Sequence, residues 1–149
     1  MGNKKIRVGV IFGGKSPEHE VSVITGLQVI ENIDKEKFDV LPIYIAKDGR
    51  WFSGIELLKI ETYKNLALIP TRTTQEAIIP SDIEKGLMPI PKSSLNPFKK
   101  KTPQTIDVLL PTFHGGIGES GSFQGMFDIK NIARKNFSIL HFILRTLYC

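Results

Sequence analysis

The chain has 149 residues, a formal net charge of +5 at pH 7 and a single cysteine, Cys149. That length predicts one domain with a core of its own, and the lone thiol excludes a disulfide framework and fits a reducing compartment. No stretch reaches the roughly 18 apolar residues of a membrane span, and the opening Met1-Gly2-Asn3-Lys4-Lys5 lacks the apolar region of an export peptide, so the expected localisation is cytoplasmic.

Ile6 to Phe12 is a nearly continuous apolar run, as expected for a strand buried on both faces of a parallel sheet. Gly13-Gly14 ends it. Ser16 then reads as a helix N-cap with Pro17 in the first turn, and the helix is expected to run to about Asn32. At helical spacing Val23, Ile24, Leu27 and Ile30 form one stripe that would cover the sheet. Phe38 to Ala46 is a second strand, and Lys47-Asp48-Gly49-Arg50 turns it toward Trp51-Phe52. Strand, helix and strand at this spacing make a βαβ unit with a right-handed crossover.

Residues 53–105 carry six prolines and weak periodicity, and short antiparallel strands are the expectation there. Lys99, Lys100 and Lys101 lie in a Pro/Ser/Asn-rich part of this segment that reads as a solvated loop. No aromatic-studded basic strand accompanies them, so the positive charge does not predict nucleic-acid binding. Ile106 to Phe113 is a further buried strand, and Ser122 to about Ile129 reads as a helix with Phe123, Met126 and Phe127 facing inward. The expected class is therefore α/β, a Rossmann-like, mostly parallel sheet flanked by helices.

Two loops carry the chemistry, each leaving a strand at the edge where open α/β sheets hold ligands. The first is Gly13 through Ser22, and the stretch that leads into it, Gly9 through Ser16, matches the letters of a phosphate-binding P-loop, G-x-x-x-x-G-K-S. The physics argues against that reading. Val10, Ile11 and Phe12 belong inside the strand, which leaves too few backbone N–H groups to wrap a phosphate. No apolar run ending in Asp follows to hold magnesium. Glu18 opens the helix, where an acid complements the helix dipole on ordinary grounds. Its functional reading is a fixed carboxylate over the strand ends that anchors a ligand's ammonium group. His19 and Glu20 read as surface or capping residues.

The second loop, His114-Gly115-Gly116-Ile117-Gly118-Glu119-Ser120-Gly121, has four glycines in eight residues. Such a turn allows positive φ and close backbone approach to a ligand. His114 stands at the end of the strand, and Glu119 lies within the turn, either lining a site or bracing the backbone.

Together the two loops resemble one family. Phe12-Gly13-Gly14-Lys15-Ser16-Pro17-Glu18-His19-Glu20-Val21-Ser22 is similar to the opening signature of the D-alanine–D-alanine ligases, F-G-G-x-S-x-E-x-E-V-S. His114 through Gly121, continued by Ser122-Phe123-Gln124-Gly125, resembles the family's H-G-x-x-G-E-D-G-[TS]-x-Q-G loop. Asn32 to Trp51, with Asp48-Gly49 before an aromatic, is similar as well. The resemblance covers most of residues 4–132 and is weakest in the middle. It implies the N-terminal, pre-ATP-grasp domain of an ATP-dependent ligase that joins two D-alanines for peptidoglycan. In that family ATP phosphorylates the carboxylate of the first D-alanine, and the amine of the second attacks the acyl phosphate. Carried over by motif position, Glu18 is the catalytic and substrate-binding residue that holds the first ammonium group. His114 lines the same pocket and Glu119 supports its wall. Ser120 departs from the family's Asp, which puts any charge-dependent role of that position in doubt.

The resemblance also implies a division. Residues 1–132 would form the N-terminal domain, and residues 133–149 a divergent tail. Asn131-Ile132 resembles the family's N-I-P-Y-V-G, but Ala133-Arg134-Lys135-Asn136 follows instead. The tail reads as the product of a shifted reading frame or an early gene break, with a docked helical extension or an amphipathic tail resting on a membrane or a partner as alternatives. Two further domains of about 100 residues each, which carry the ATP and Mg2+ sites of the complete enzyme, exceed this length. The expectation is thus that this chain alone binds no cofactor, meets D-alanine as its small-molecule partner, and does not form the dipeptide by itself. A homodimer or a separate ATP-grasp half are the further partners this implies. A non-catalytic α/β remnant, or a subunit that needs such a partner chain, is the alternative.

Overall fold

The computed structural model describes residues 5–69, 75–78, 88–89 and 106–115. At its centre lies strand β1 (Ile6–Gly13), with β2 (Phe38–Ile45) on one side and β6 (Val108–Pro111) on the other, both parallel to it. The β1–β2 ladder pairs Ile6 with Phe38 at one end and Gly13 with Ile45 at the other. Val10, Ile11 and Phe12 are fully buried, which is why these consecutive positions are all apolar. Each such side chain contributes about 2 kcal/mol relative to an exposed one. Alternation along the strand splits the core. Val8, Val10 and Phe12 join the cluster under the helix, and Ile11 joins Ile43, Ile45, Leu109 and Phe113 on the opposite face.

The helix α1 (His19–Asn32) connects β1 to β2 and packs on β1. It starts later than the Ser16 cap predicted, with Glu18 at the N-cap position and no side-chain cap from it. Ser16 and Pro17 belong to a preceding turn, in which the Ser16 hydroxyl accepts the Glu18 N–H at 3.1 Å. The buried stripe differs too. It comprises His19, Ser22, Val23, Gly26, Val29 and Ile30, and Ile24 lies on the solvent side at 51% exposure. Smallness decides the face here, not apolarity. A Cβ at Gly26 would stand 2.6 Å from the Phe12 ring, so only glycine lets the helix axis approach β1 this closely. Val23 and Ile30 fall where expected, and Leu27 packs half-buried at the margin of the cluster.

Beyond β2 the sheet turns antiparallel. A hairpin over Lys47–Arg50 leads to β3 (Trp51–Ser53), closed by the Ala46 N–H on the Arg50 carbonyl and the Arg50 N–H on the Asp48 carboxylate. β4 (Gln75–Ile78) and β5 (Met88–Pro89) follow antiparallel, as expected for the middle of the chain. The six strands take the order β5-β4-β3-β2-β1-β6. Three short 3₁₀ turns, Ile55–Leu58, Ile60–Lys64 and Leu66–Leu68, were not foreseen. They form because Leu57 is drawn fully into the core and Tyr63 and Leu66 pack beside it, a spacing that weak apolar periodicity conceals. Strand β6 is shorter than the expected run from Ile106 to Phe113. Among the described residues no helix is long and apolar enough to cross a membrane. The expected helix over residues 122–129, the Lys99–Lys101 run and the tail over residues 133–149 lie outside the described residues.

Candidate functional site

The carboxyl ends of β1 and β6 lie side by side, so the two loops that leave them meet. At Gly13 the chain turns with φ +90°, and a Cβ there would run into the Ile45 carbonyl, so the strand can end this way only at glycine. Ser22, fully buried on α1, accepts the Gly13 N–H at 2.8 Å and donates to the Thr112 carbonyl at 2.9 Å. Thr112, buried at the end of β6, donates in turn to the Ile11 carbonyl at 3.1 Å. One helix hydroxyl therefore ties both strand ends together, and each buried polar group there has a partner.

The first loop is held from beneath by His19. The sequence suggested a surface or capping residue, but its ring is fully buried. Nδ1 lies 2.7 Å from the Gly14 carbonyl, which only accepts, so Nδ1 carries a proton. In the neutral ring Nε2 then accepts from the Tyr44 hydroxyl at 3.1 Å, and the two rings meet edge to face. Burial, assisted by the Asp48 and Glu20 carboxylates, pushes the Tyr44 phenol up to about 12. Tyr63, whose hydroxyl donates to the Leu57 carbonyl at 2.7 Å, is pushed up as well, first by its own burial. Glu20 does sit at the surface, where a 2.6 Å ion pair with Lys47 holds its carboxyl below the ordinary range.

Above this support stand the predicted site residues. The Ser16 hydroxyl donates to the His114 carbonyl at 2.9 Å, joining loop to loop. Gly115 adopts φ +67°, and a Cβ built on it would lie 2.9 Å from Glu18 Oε1 and 3.3 Å from Ser16 Oγ. The exposed Glu18 carboxylate is thus laid against the Gly115 backbone, on the same rim as His114. The His114 ring is itself anchored, with Nε2 2.9 Å from the Thr25 hydroxyl on α1. The structure therefore brings Glu18 and His114 together. Glu119 lies outside the described residues.

Sequence reasoning missed His19, Ser22, Thr25, Tyr44 and Thr112. One signal was available: His19, Ser22 and Thr25 recur every third residue along α1, a polar line that continues the loop chemistry down the helix. The N–H groups of Gly13, Gly14, Ser16 and Glu18 are committed to Ser22, Ile45, Gly14 and Ser16 respectively, so the P-loop lettering encloses no phosphate cradle. Among the described residues no group of three or more His, Cys, Asp or Glu side chains could hold a metal ion. A cavity of about 690 Å³ opens at the other end of the strands among Leu27, Phe38, Leu58 and Ile60. Its rim charges are partly spent locally, Lys59 on Glu56 and Lys5 on the Lys35 carbonyl, and none of the loop residues reaches it.

Comparison with known proteins agrees with this fold. The family model for the D-Ala D-Ala ligase N-terminus matches residues 7–134. A D-alanine–D-alanine ligase of Geobacillus kaustophilus is 42% identical over 129 residues, which cover 86% of this chain and 33% of the relative. D-alanine–D-alanine ligase A of Escherichia coli is 37% identical over 132 residues, 87% of this chain and 34% of the relative. Among solved structures, the VanG D-Ala:D-Ser ligase of Enterococcus faecalis superposes with a TM-score of 0.69 at 28% identity, covering 88% of this chain and 35% of that one. The chain spans about a third of the length of the curated relatives it matches. The paired loops, the α/β sheet that presents them and these matches place the chain in the D-Ala–D-Ala ligase N-terminal domain family.

Proposed function

We propose that this chain supplies the first-amino-acid half of a D-alanine–D-alanine ligase, with Glu18 holding the α-ammonium group of D-alanine and His114 lining the same pocket. The observation that carries this is the Glu18 carboxylate laid against the Gly115 backbone beside His114. An ionised carboxylate is acceptor-only, and an ammonium group brings three donors, so the two are complementary in charge and in hydrogen bonding. Anchoring the substrate by its amine leaves its carboxylate free to react. Glu119 is proposed to brace the far wall of the pocket.

In this reading the phosphoryl chemistry, with its ATP and Mg2+, belongs to ATP-grasp domains carried by further polypeptide or by a partner chain. That the chain covers about a third of its relatives supports this division. The match to residues 7–134 supports a domain over residues 1–132 with residues 133–149 as a divergent tail. A role in peptidoglycan precursor synthesis places the protein in the cytoplasm, and self-association of the domain is part of the same proposal.

The test is titration of D-alanine and L-alanine into the full chain, followed by amide chemical shifts and calorimetry. D-alanine is expected to bind weakly, in the millimolar range, shifting the amides of the two loops, and Glu18→Gln is expected to abolish the effect. Equal binding by the variant, or an unchanged loop at saturating D-alanine, overturns the assignment. Phosphate release from ATP that depends on D-alanine, catalysed by this chain alone, would overturn the need for further domains.

A further inference from the structure

We propose that Thr25 is a positioning residue that fixes the proton of His114 on Nε2, so that Nδ1 meets the ligand as a lone-pair acceptor. A threonine hydroxyl has one hydrogen. In α1 it is given to the Val21 carbonyl one turn back, at 3.0 Å. What remains on Oγ1 is acceptor capacity, so the 2.9 Å contact with His114 is a hydrogen bond donated by the imidazole Nε2–H. In the neutral ring Nδ1 is then unprotonated, and it has no partner among the described residues.

The consequence concerns ligand class and rests on the reading that Glu18 and His114 share a pocket. Glu18 presents a carboxylate, and His114 presents an sp² lone pair. Both are acceptors, so the complementary group is a multiple N–H donor, such as the ammonium of a free amino acid. A carboxylate or phosphate placed at the same point would face two electron-rich groups and be rejected. His19, beside Glu18 in the first loop motif, is fixed in the opposite tautomer by the Gly14 carbonyl. The two site imidazoles are therefore predicted to carry their protons on different nitrogens, each set by a neighbour on the backbone or helix.

Long-range proton–nitrogen spectra of the full chain with 15N-labelled histidine report this directly. The chain has three histidines, His19, His114 and His141, assignable by single substitutions. The pH is raised until the imidazole signals stop moving. His114 is expected to show the Nε2–H pattern and His19 the Nδ1–H pattern. Thr25→Val, which keeps the shape and removes the hydroxyl, is expected to move His114 to a tautomer mixture and to weaken D-alanine binding about three- to ten-fold. Thr25→Ser should restore both. A wild-type His114 in the Nδ1–H form, or a tautomer unmoved by Thr25→Val, overturns the proposal, and the wild-type spectrum alone suffices if the variant does not fold. If the tautomers behave as stated but D-alanine does not bind, the ligand reading fails and the role of Thr25 stands. If D-alanine binds through Glu18 with His114 in the other tautomer, the reverse holds.

Discussion

The same three parallel strands end in two very different ways. At their carboxyl ends β1, β2 and β6 meet a buried and closely partnered set of polar groups: Ser22, Thr112, His19 and Tyr44. At their amino ends the polar contacts are exposed and ionic. Arg7 pairs with Asp39 at 2.8 Å, the Arg7 N–H is taken by the Asp107 carboxylate at 2.7 Å, and Lys5 reaches the Lys35 carbonyl. The difference teaches where precision is needed. A buried hydrogen-bonded network fixes one geometry because every unmade bond is expensive, whereas surface ion pairs tolerate rearrangement in water. The end that presents Glu18 and His114 is the rigid one.

If this contrast is right, the largest loss should come from Ser22→Ala. It strands the buried Gly13 N–H and removes the donor to the Thr112 carbonyl, and an unsatisfied buried group costs about 1–3 kcal/mol. A destabilisation of about 3 kcal/mol in denaturant unfolding is expected. A loss below about 1 kcal/mol would mean that the strand ends are not held as described. Gly115→Ala comes next, since its φ of +67° is costly for an L-residue and its methyl would press on the Glu18 carboxylate. The strain is about 1–2 kcal/mol, and D-alanine-dependent shifts in both loops should disappear while the remaining amides keep their positions.

Tyr44 lets the rigid end be probed by pH. Its phenol is held at about 12 in the fold against the ordinary 10, chiefly by burial. The folded state thus binds the proton more tightly than the unfolded chain. The resulting stability is fully present below pH 10 and is lost as pH rises toward 12. Alkaline unfolding followed by circular dichroism should track tyrosinate absorbance in that window. Tyr44→Phe should weaken the coupling, and should cost about 1 kcal/mol at neutral pH by leaving His19 Nε2 without its donor. Tyrosinate at pH 10 that is present in the still-folded protein and missing from Tyr44→Phe would show that this ring is open to water.

Much of the rigid end was legible in the sequence. A nearly continuous apolar run gave the position of β1, because a strand covered on both faces needs few polar positions, and the Gly13-Gly14 pair marked where it stops. Glu18 and His114 could be singled out because glycine-rich turns at strand ends leave few bland explanations. The supporting groups were not legible. His19, Ser22 and Thr25 look like ordinary helix polar residues until the sheet beneath them is known, and the burial of Gly26 in place of Ile24 depends on the bulk of Phe12 across the contact. The 3₁₀ turns escaped for a related reason. The Leu57 side chain is drawn in by tertiary packing, with no local period to announce it.

The smallest effect belongs to the ionic end, and it completes the contrast. Asp39→Asn removes the partner of an ion pair whose side chains are 39% and 52% exposed. In water such a pair gains little Coulomb energy and spends side-chain entropy on its geometry, so about 0–1 kcal/mol is expected. The difference between the wild type and this variant should shrink further from low salt to about 1 M, where the screening length falls to about 3 Å. Ser22→Ala should keep its full cost across the same range, because a buried hydroxyl bridging neutral groups has no charge to screen. Measuring both variants at both salt concentrations therefore separates the two ends by mechanism and not only by size. A salt-sensitive Ser22→Ala together with a salt-insensitive Asp39→Asn would invert the account of which end holds the loops in place.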